Sequence, residues 1–205
     1  MTARDDILSR VRAQRAPAPS PVREYRARGS LSQAERVELF CARVAEYRAR
    51  VIRIEPHEAR DAIVDVAAGR HVVVAPGFPI ELRPESVIVD DSLTRSELAA
   101  IDVSLTGATA AIAETGTLAL TGSELEGRRA MTLIPDAHIC LVYANQIVET
   151  VPEAFQAIGP QAIAGRPLTL ISGPSATSDI ELQRVEGVHG PRELTVIVCD
   201  GPAAS

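Results

Sequence analysis

Residues 171–191 read ISGPSATSDIELQRVEGVHGP, a polar stretch bracketed by two Gly-Pro pairs, Gly173-Pro174 and Gly190-Pro191. Gly reaches backbone conformations closed to other residues. Pro locks φ and removes a donor. Both ends of the stretch are therefore held in defined geometry. PLTLI (Pro167 to Ile171) precedes it and ELTVIV (Glu193 to Val198) follows it. Both runs read as buried strands. The polar stretch should then leave one strand, pass through a short helix and return into the next. In open α/β sheets, ligands bind at such places, at the carboxyl ends of strands.

Working outward, the same alternation recurs. Asp5 to Gln14 has helical spacing, and APAPSP (16–21) stops it, so 16–30 reads as a linker or a loosely held strap. Ser32 with Glu35 three residues on has capping-box spacing and opens a helix to about Arg48, with Val37, Phe40, Val44 and Tyr47 as its apolar stripe. Strands follow at Val51 to Ile54, His71 to Ala75 and Ser86 to Val89, with helices at Pro56 to Ala68 and Thr94 to Ile101. Residues 102–121 break the pattern. There, Ala110 to Ala113 and Thr117 to Leu120 read as strands joined by a hairpin turn at Glu114-Thr115-Gly116. Ala137 to Tyr143 is a strand and Pro152 to Ile158 a helix. Strands separated by helices predict an α/β fold of three layers, a mostly parallel sheet flanked by helices. Residues 1–49 form an N-terminal helical arm with its Pro-rich linker, and 50–205 form the α/β domain.

Composition narrows the function. The 205 residues suit one domain with a sizeable core; hydrophobic residues make up 46% and aromatics only 3%, so the core is Val, Ile, Leu and Ala. All 21 basic residues are Arg, which excludes a lysine Schiff base or a lysine phosphate loop. Residues 1–53 hold 12 Arg against 6 acids, and 54–205 hold 9 against 21. Acids interrupt the basic arm, so it suits packing on an acidic surface, its own or a partner's, rather than on nucleic acid. Cys41, Cys140 and Cys199 form no close pair, which argues for a reducing compartment. MTARDDILSRVRAQR lacks the apolar core of a signal peptide, and no run is long enough to span a membrane. A cytoplasmic protein is expected.

Each candidate for chemistry carries a structural alternative. Ser175, Thr177 and Ser178 sit at the expected helix start, where backbone N–H groups and the helix dipole suit an anion. Simple capping uses one hydroxyl, not three. Glu114 is either a desolvated acid–base group or a turn residue facing water. His189 can act as a base or fasten its loop. His138, entering a strand in PDAHIC, reads as structural. Asp179 and Glu181, two residues apart, diverge on a helix, and Arg184 pairs with Glu181 at its surface. Arg128 and Arg129 are either a carboxylate clamp or a charged loop. No Cys-x-x-Cys or His-x-x-x-His spacing offers a metal site, and LTGATAA and ISGPSA lack the glycine spacing of a dinucleotide fingerprint.

Together with AIAETGTLAL (Ala111 to Leu120) and LIPDAHICLVYANQIVETVPEAF (Leu133 to Phe155), the pattern GPSxTxDIE…GVHGP resembles the lactate-utilisation protein C family, the LUD-domain proteins, over roughly residues 70–200. The resemblance implies a fold like that of sugar-phosphate isomerases, CoA transferases and formyltetrahydrofolate cyclo-ligases. It implies a subunit of an L-lactate oxidising system that binds a small carboxylate or assembles with iron–sulfur partner proteins. It hands over no proven catalytic residue; Glu114, in the family's other characteristic motif, and His189, the histidine nearest the polar loop, are the candidate catalytic residues. Thr115, Gly116, Thr117, Gly173, Pro174, Ser175, Thr177, Asp179, Glu181 and Gly190 are the candidate ligand-binding residues. No cofactor is expected in this chain; iron–sulfur clusters belong to the partners. A free-standing transferase or ligase on a small acid or phosphate, with Glu114 as nucleophile, remains the alternative, as does a non-catalytic assembly subunit. A second copy of the chain is a further candidate partner.

The purified chain should therefore be colourless. Stoichiometric iron by elemental analysis, or a flavin spectrum, would overturn this expectation.

Overall fold

The helix at Ser32 begins as its sequence dictates. The Ser32 hydroxyl accepts from the Glu35 N–H, and the Glu35 carboxylate accepts from the Ser32 N–H at 2.8 Å. A computed structural model of the chain describes residues 3–13, 26–174, 176–177, 185–186 and 190–201. Helix α1 (Ala3–Ala13) buries no residue. Helix α2 (Gln33–Glu46) drives Val37, Phe40 and Val44 into the core. The chain then alternates through β1 (Arg50–Ile54), α3 (Ala59–Ala67), β2 (Val72–Val74), β3 (Val87–Val89), α4 (Arg95–Ala99) and β4 (Val103–Thr106). A hairpin of β5 (Ala110–Ile112) and β6 (Thr117–Leu120) follows, then β7 (Ala137–Tyr143), β8 (Ile147–Val148) and α5 (Val151–Ile163). The remaining strands are β9 (Thr169–Ile171), β10 (Ala176–Thr177), β11 (Val185–Glu186) and β12 (Glu193–Cys199).

Six strands form a parallel sheet in the order β1-β12-β7-β4-β2-β3. One face is covered by α3, whose Ala59, Ile63 and Ala67 pack on Val74, Leu105, Ile139 and Ile197. The opposite face meets α2 and a second, four-stranded sheet in the order β8-β5-β6-β9. Ala111, Leu118 and Leu120 of that smaller sheet face Cys140, Val142 and Val196. Helix α5 lies outside it, with Ile158 on Ala110 and Ala119. The chain is thus an α/β fold built on a mostly parallel sheet flanked by helices, with the small sheet as an added layer.

Three expectations change. The runs flanking the Gly-Pro stretch lie in different sheets: β9 is an edge of the small one, and β12 is an interior strand of the large one. The stretch therefore leaves a carboxyl end in one sheet and returns at the amino end of a strand in the other. The short helix expected from Ser175 is replaced at Thr177 by strand: Ala176–Thr177 pairs antiparallel with Val185–Glu186. Backbone N–H groups engaged in a ladder do not form a helix-terminus anion site there. Finally, β4 adds a strand within residues 102–121, where the sequence predicts only Ala110 to Ala113 and Thr117 to Leu120 as strands; its alternate residues Ser104 and Thr106 are polar yet buried.

Two glycines make the close approaches that hold these layers. Gly116 has φ +59°, and a Cβ there would lie 2.8 Å from the carbonyl carbon of Arg43 and 2.9 Å from the N of Val44, both backbone atoms of α2. Gly173 has φ +82° and packs on Tyr47 at the end of α2. Gly116→Ala combines left-handed strain with a clash against helix backbone. It should destabilise the chain by about 2–4 kcal/mol, read as a lower urea midpoint at unchanged slope.

Candidate functional site

The hairpin turn carries Glu114 to the start of α5. Its backbone N–H continues the β5–β8 pairing by donating to the Glu149 carbonyl at 3.1 Å. Its carboxylate accepts from the Val151 N–H at 3.0 Å, capping the helix, and from Arg26 at 3.1 Å. Arg26 also bonds Glu149, whose side chain is almost fully buried. Residues 29–31 form a strap over this corner. The N–H groups of Ser30 (2.5 Å) and Leu31 (2.7 Å) donate to Glu149, and that of Gly29 donates to Glu153 at 3.0 Å. A Cβ on Gly29 would collide with the Glu149 side chain. The Leu31 N–H, aided by Ser30 and Arg26, holds the Glu149 carboxyl below its ordinary range. Burial acts to raise Glu153, but the N–H groups of Gly29, Thr150 and Glu149 outweigh it. Glu114 is thus committed to a helix cap and an ion pair.

The two sequence motifs meet through hydroxyls. Thr115 Oγ1 lies 2.8 Å from Thr117 Oγ1, which lies 2.7 Å from Ser172 Oγ. This chain reaches a cleft of about 340 Å³ between the sheets, at the amino edge of the parallel one. Gly173, Pro174, Gly190 and Pro191 form part of its rim, so both Gly-Pro pairs border one space. Leu133 and Leu170 add apolar wall, and Arg129, Thr132 and His138 complete the polar lining. The volume lies within the range of ligand pockets. Of the residues marked from the sequence, Gly173, Pro174 and Gly190 line the cleft, Thr115 and Thr117 connect to it, and Gly116 locks the turn behind it. Thr177 is described only as backbone in β10. Ser175, Asp179, Glu181 and His189 lie outside the described residues.

The paired arginines separate. Arg128 forms a bidentate pair with buried Asp90 (2.6 and 2.7 Å) and also bonds the Leu93 carbonyl. Arg129 lines the cleft and meets no carboxylate among the described residues. Thr132 Oγ1 donates to the Arg129 carbonyl at 3.1 Å and steadies the turn that carries it.

His138 is the other uncommitted group. Alternation along β7 puts His138, Cys140 and Val142 on the inner face, toward the small sheet. The imidazole is 1% exposed, with Nε2 2.8 Å from Thr106 Oγ1 and Nδ1 lacking a hydrogen-bond partner among the described residues. Burial lowers its pKa to about 4, so the ring is neutral at pH 7. Sequence reading set His138 aside as structural; the available signal was its place in the same alternation as Cys140 and Val142. A second cleft of about 430 Å³ lies at the carboxyl edge, but its charged groups, Arg53 and Asp200, satisfy each other at 2.8 Å. The amino-edge cleft alone combines a cation without a carboxylate with a buried, unpartnered ring nitrogen among the described residues.

Comparison with known proteins agrees with this architecture. The LUD domain family profile matches residues 37–199. A "Lactate utilization protein C" of Deinococcus radiodurans is 43% identical over 191 residues, covering 91% of this chain and 90% of that protein. A "Lactate utilization protein C 1" of Bacillus mycoides is 36% identical over 105 residues, 49% of this chain and 44% of that protein. The crystal structure of a DUF162 family protein from Deinococcus radiodurans superposes with a TM-score of 0.74 at 40% identity, covering 83% of this chain and 99% of that one.

The His138 ring yields a pH prediction. Its pKa falls from 6.5 to about 4 on folding, so between those values the unfolded chain binds a proton that the folded chain does not. The contribution is fully present above pH 6.5, and about 3 kcal/mol of it should be lost as pH falls to 4. Urea unfolding at pH 7, 5 and 4 should show this component in the native chain and not in His138→Leu.

Proposed function

Because the chain belongs to the LUD-domain family, we propose that it serves lactate utilisation as the subunit that holds a small carboxylate in the amino-edge cleft. The observation that carries this reading is Arg129. A guanidinium without a carboxylate partner among the described residues, beside a neutral ring and apolar walls, suits one negative charge on a small, partly apolar acid. The two Gly-Pro pairs place backbone close to such a ligand.

Oxidation of a 2-hydroxy acid releases two electrons, and we assign their acceptor to iron–sulfur partner proteins. The cysteines here support that division. Burial pushes the Cys140 thiol up to about 12 and raises those of Cys41 and Cys199, which disfavours the thiolates that cluster ligation needs. Cys140 and Cys199 also face opposite sides of the large sheet. A transferase using Glu114 as nucleophile is less well supported, since that carboxylate caps α5 and pairs with Arg26.

Arg129→Gln should weaken L-lactate binding by about 10-fold or more, the loss expected for a charge-assisted hydrogen bond. Arg128→Gln should instead lower stability by stranding buried Asp90. Isothermal titration of both variants against the native chain distinguishes the two roles. Equal lactate binding by Arg129→Gln and the native chain would sink the reading.

A further inference from the structure

A charge anchor alone does not tell lactate from any other small acid. Resting on the carboxylate reading of the cleft, we propose that His138 is its specificity-determining residue and selects 2-hydroxy acids, with Nδ1 accepting the hydrogen bond of the ligand's C2 hydroxyl.

The direction of the hydrogen bond at Nε2 decides which kind of atom Nδ1 is. Thr106 Oγ1 lies 2.8 Å from Nε2, and a hydroxyl can donate or accept there. With the ring proton on Nδ1, a buried N–H would be left with no acceptor, the rarer kind of orphan in folded proteins. We therefore place the proton on Nε2, donating to Thr106 Oγ1. A neutral imidazole has one donor and one acceptor nitrogen, which leaves Nδ1 bare. That atom is buried and unpartnered, on a residue that lines the cleft. A buried acceptor with no donor is costly, and a ligand O–H relieves it. A plain carboxylate such as propionate has nothing to offer it. A 2-oxo acid such as pyruvate brings a second acceptor. The neutral ring also does not compete with Arg129 for the carboxylate, so charge and hydroxyl are read by separate groups.

Titration calorimetry at pH 7 with L-lactate, propionate and pyruvate tests this. The native chain should prefer lactate to each of the others by about 10-fold, the factor set by one buried hydrogen bond. His138→Leu should reduce both ratios to about one. Thr106→Val, which removes the oxygen that orients the ring, should reduce them while keeping the imidazole. Thermal unfolding checks that each variant is folded. Imidazole 15N resonances should show a bare Nδ1 and a protonated Nε2, with Nδ1 moving when lactate is added. If no carboxylate binds the native chain, the cleft reading and this inference fall together. If carboxylates bind and depend on Arg129, but lactate and propionate bind equally or the preference survives in folded His138→Leu, only the role of His138 fails.

Discussion

The insertion of β12 between β1 and β7 governs the rest of the molecule. The last strand described pairs with the first through five residues, Arg50↔Thr195 to Ile54↔Cys199, and with β7 through seven. Everything between β7 and β12 must therefore leave the sheet and return to its interior. That excursion builds β8, α5 and β9 over one face, and the short β10–β11 ladder. It delivers the chain back at the amino edge of the sheet, beside His138. The cleft is thus a by-product of a long-range strand insertion. It lies opposite the carboxyl edge where open α/β sheets usually bind ligands.

Local features were legible because their physics is local. The Ser32–Glu35 box, the hairpin turn at Glu114-Thr115-Gly116 and the apolar run of β7 each rest on contacts within a few residues. Sheet membership was not legible. Thr169–Ile171 and Glu193–Cys199 both read as short apolar runs, and nothing in such a run says which neighbour it will pair with. β4 was hidden for a related reason. Its inward residues, Ser104 and Thr106, are polar because one of them serves a buried histidine, which inverts the usual rule that polar positions face water.

The site shows the same division. The motifs 114–117 and 172–174 were marked as one region, and a chain of hydroxyls joins them. Their roles were harder to read. Arg128 and Arg129 are adjacent and identical in type, and only Asp90, 38 residues upstream, separates the structural one from the one facing the cleft. Likewise, a histidine on an apolar strand reads as core until the partner of each ring nitrogen is known.

The two close glycine contacts differ in a way that genetics can read. Gly29 is crowded by the side chain of Glu149, so a second substitution that shortens Glu149 makes room for a methyl at position 29, at the expense of the strap. Gly116 is crowded by the main chain of Arg43 and Val44. Every residue at those helix positions carries the same backbone atoms, so no side-chain exchange there makes room. Intragenic suppressors of a Gly29 substitution should therefore be allele-specific and cluster at one codon, whereas those of a Gly116 substitution should be scattered stabilisers that rescue other destabilised alleles equally well.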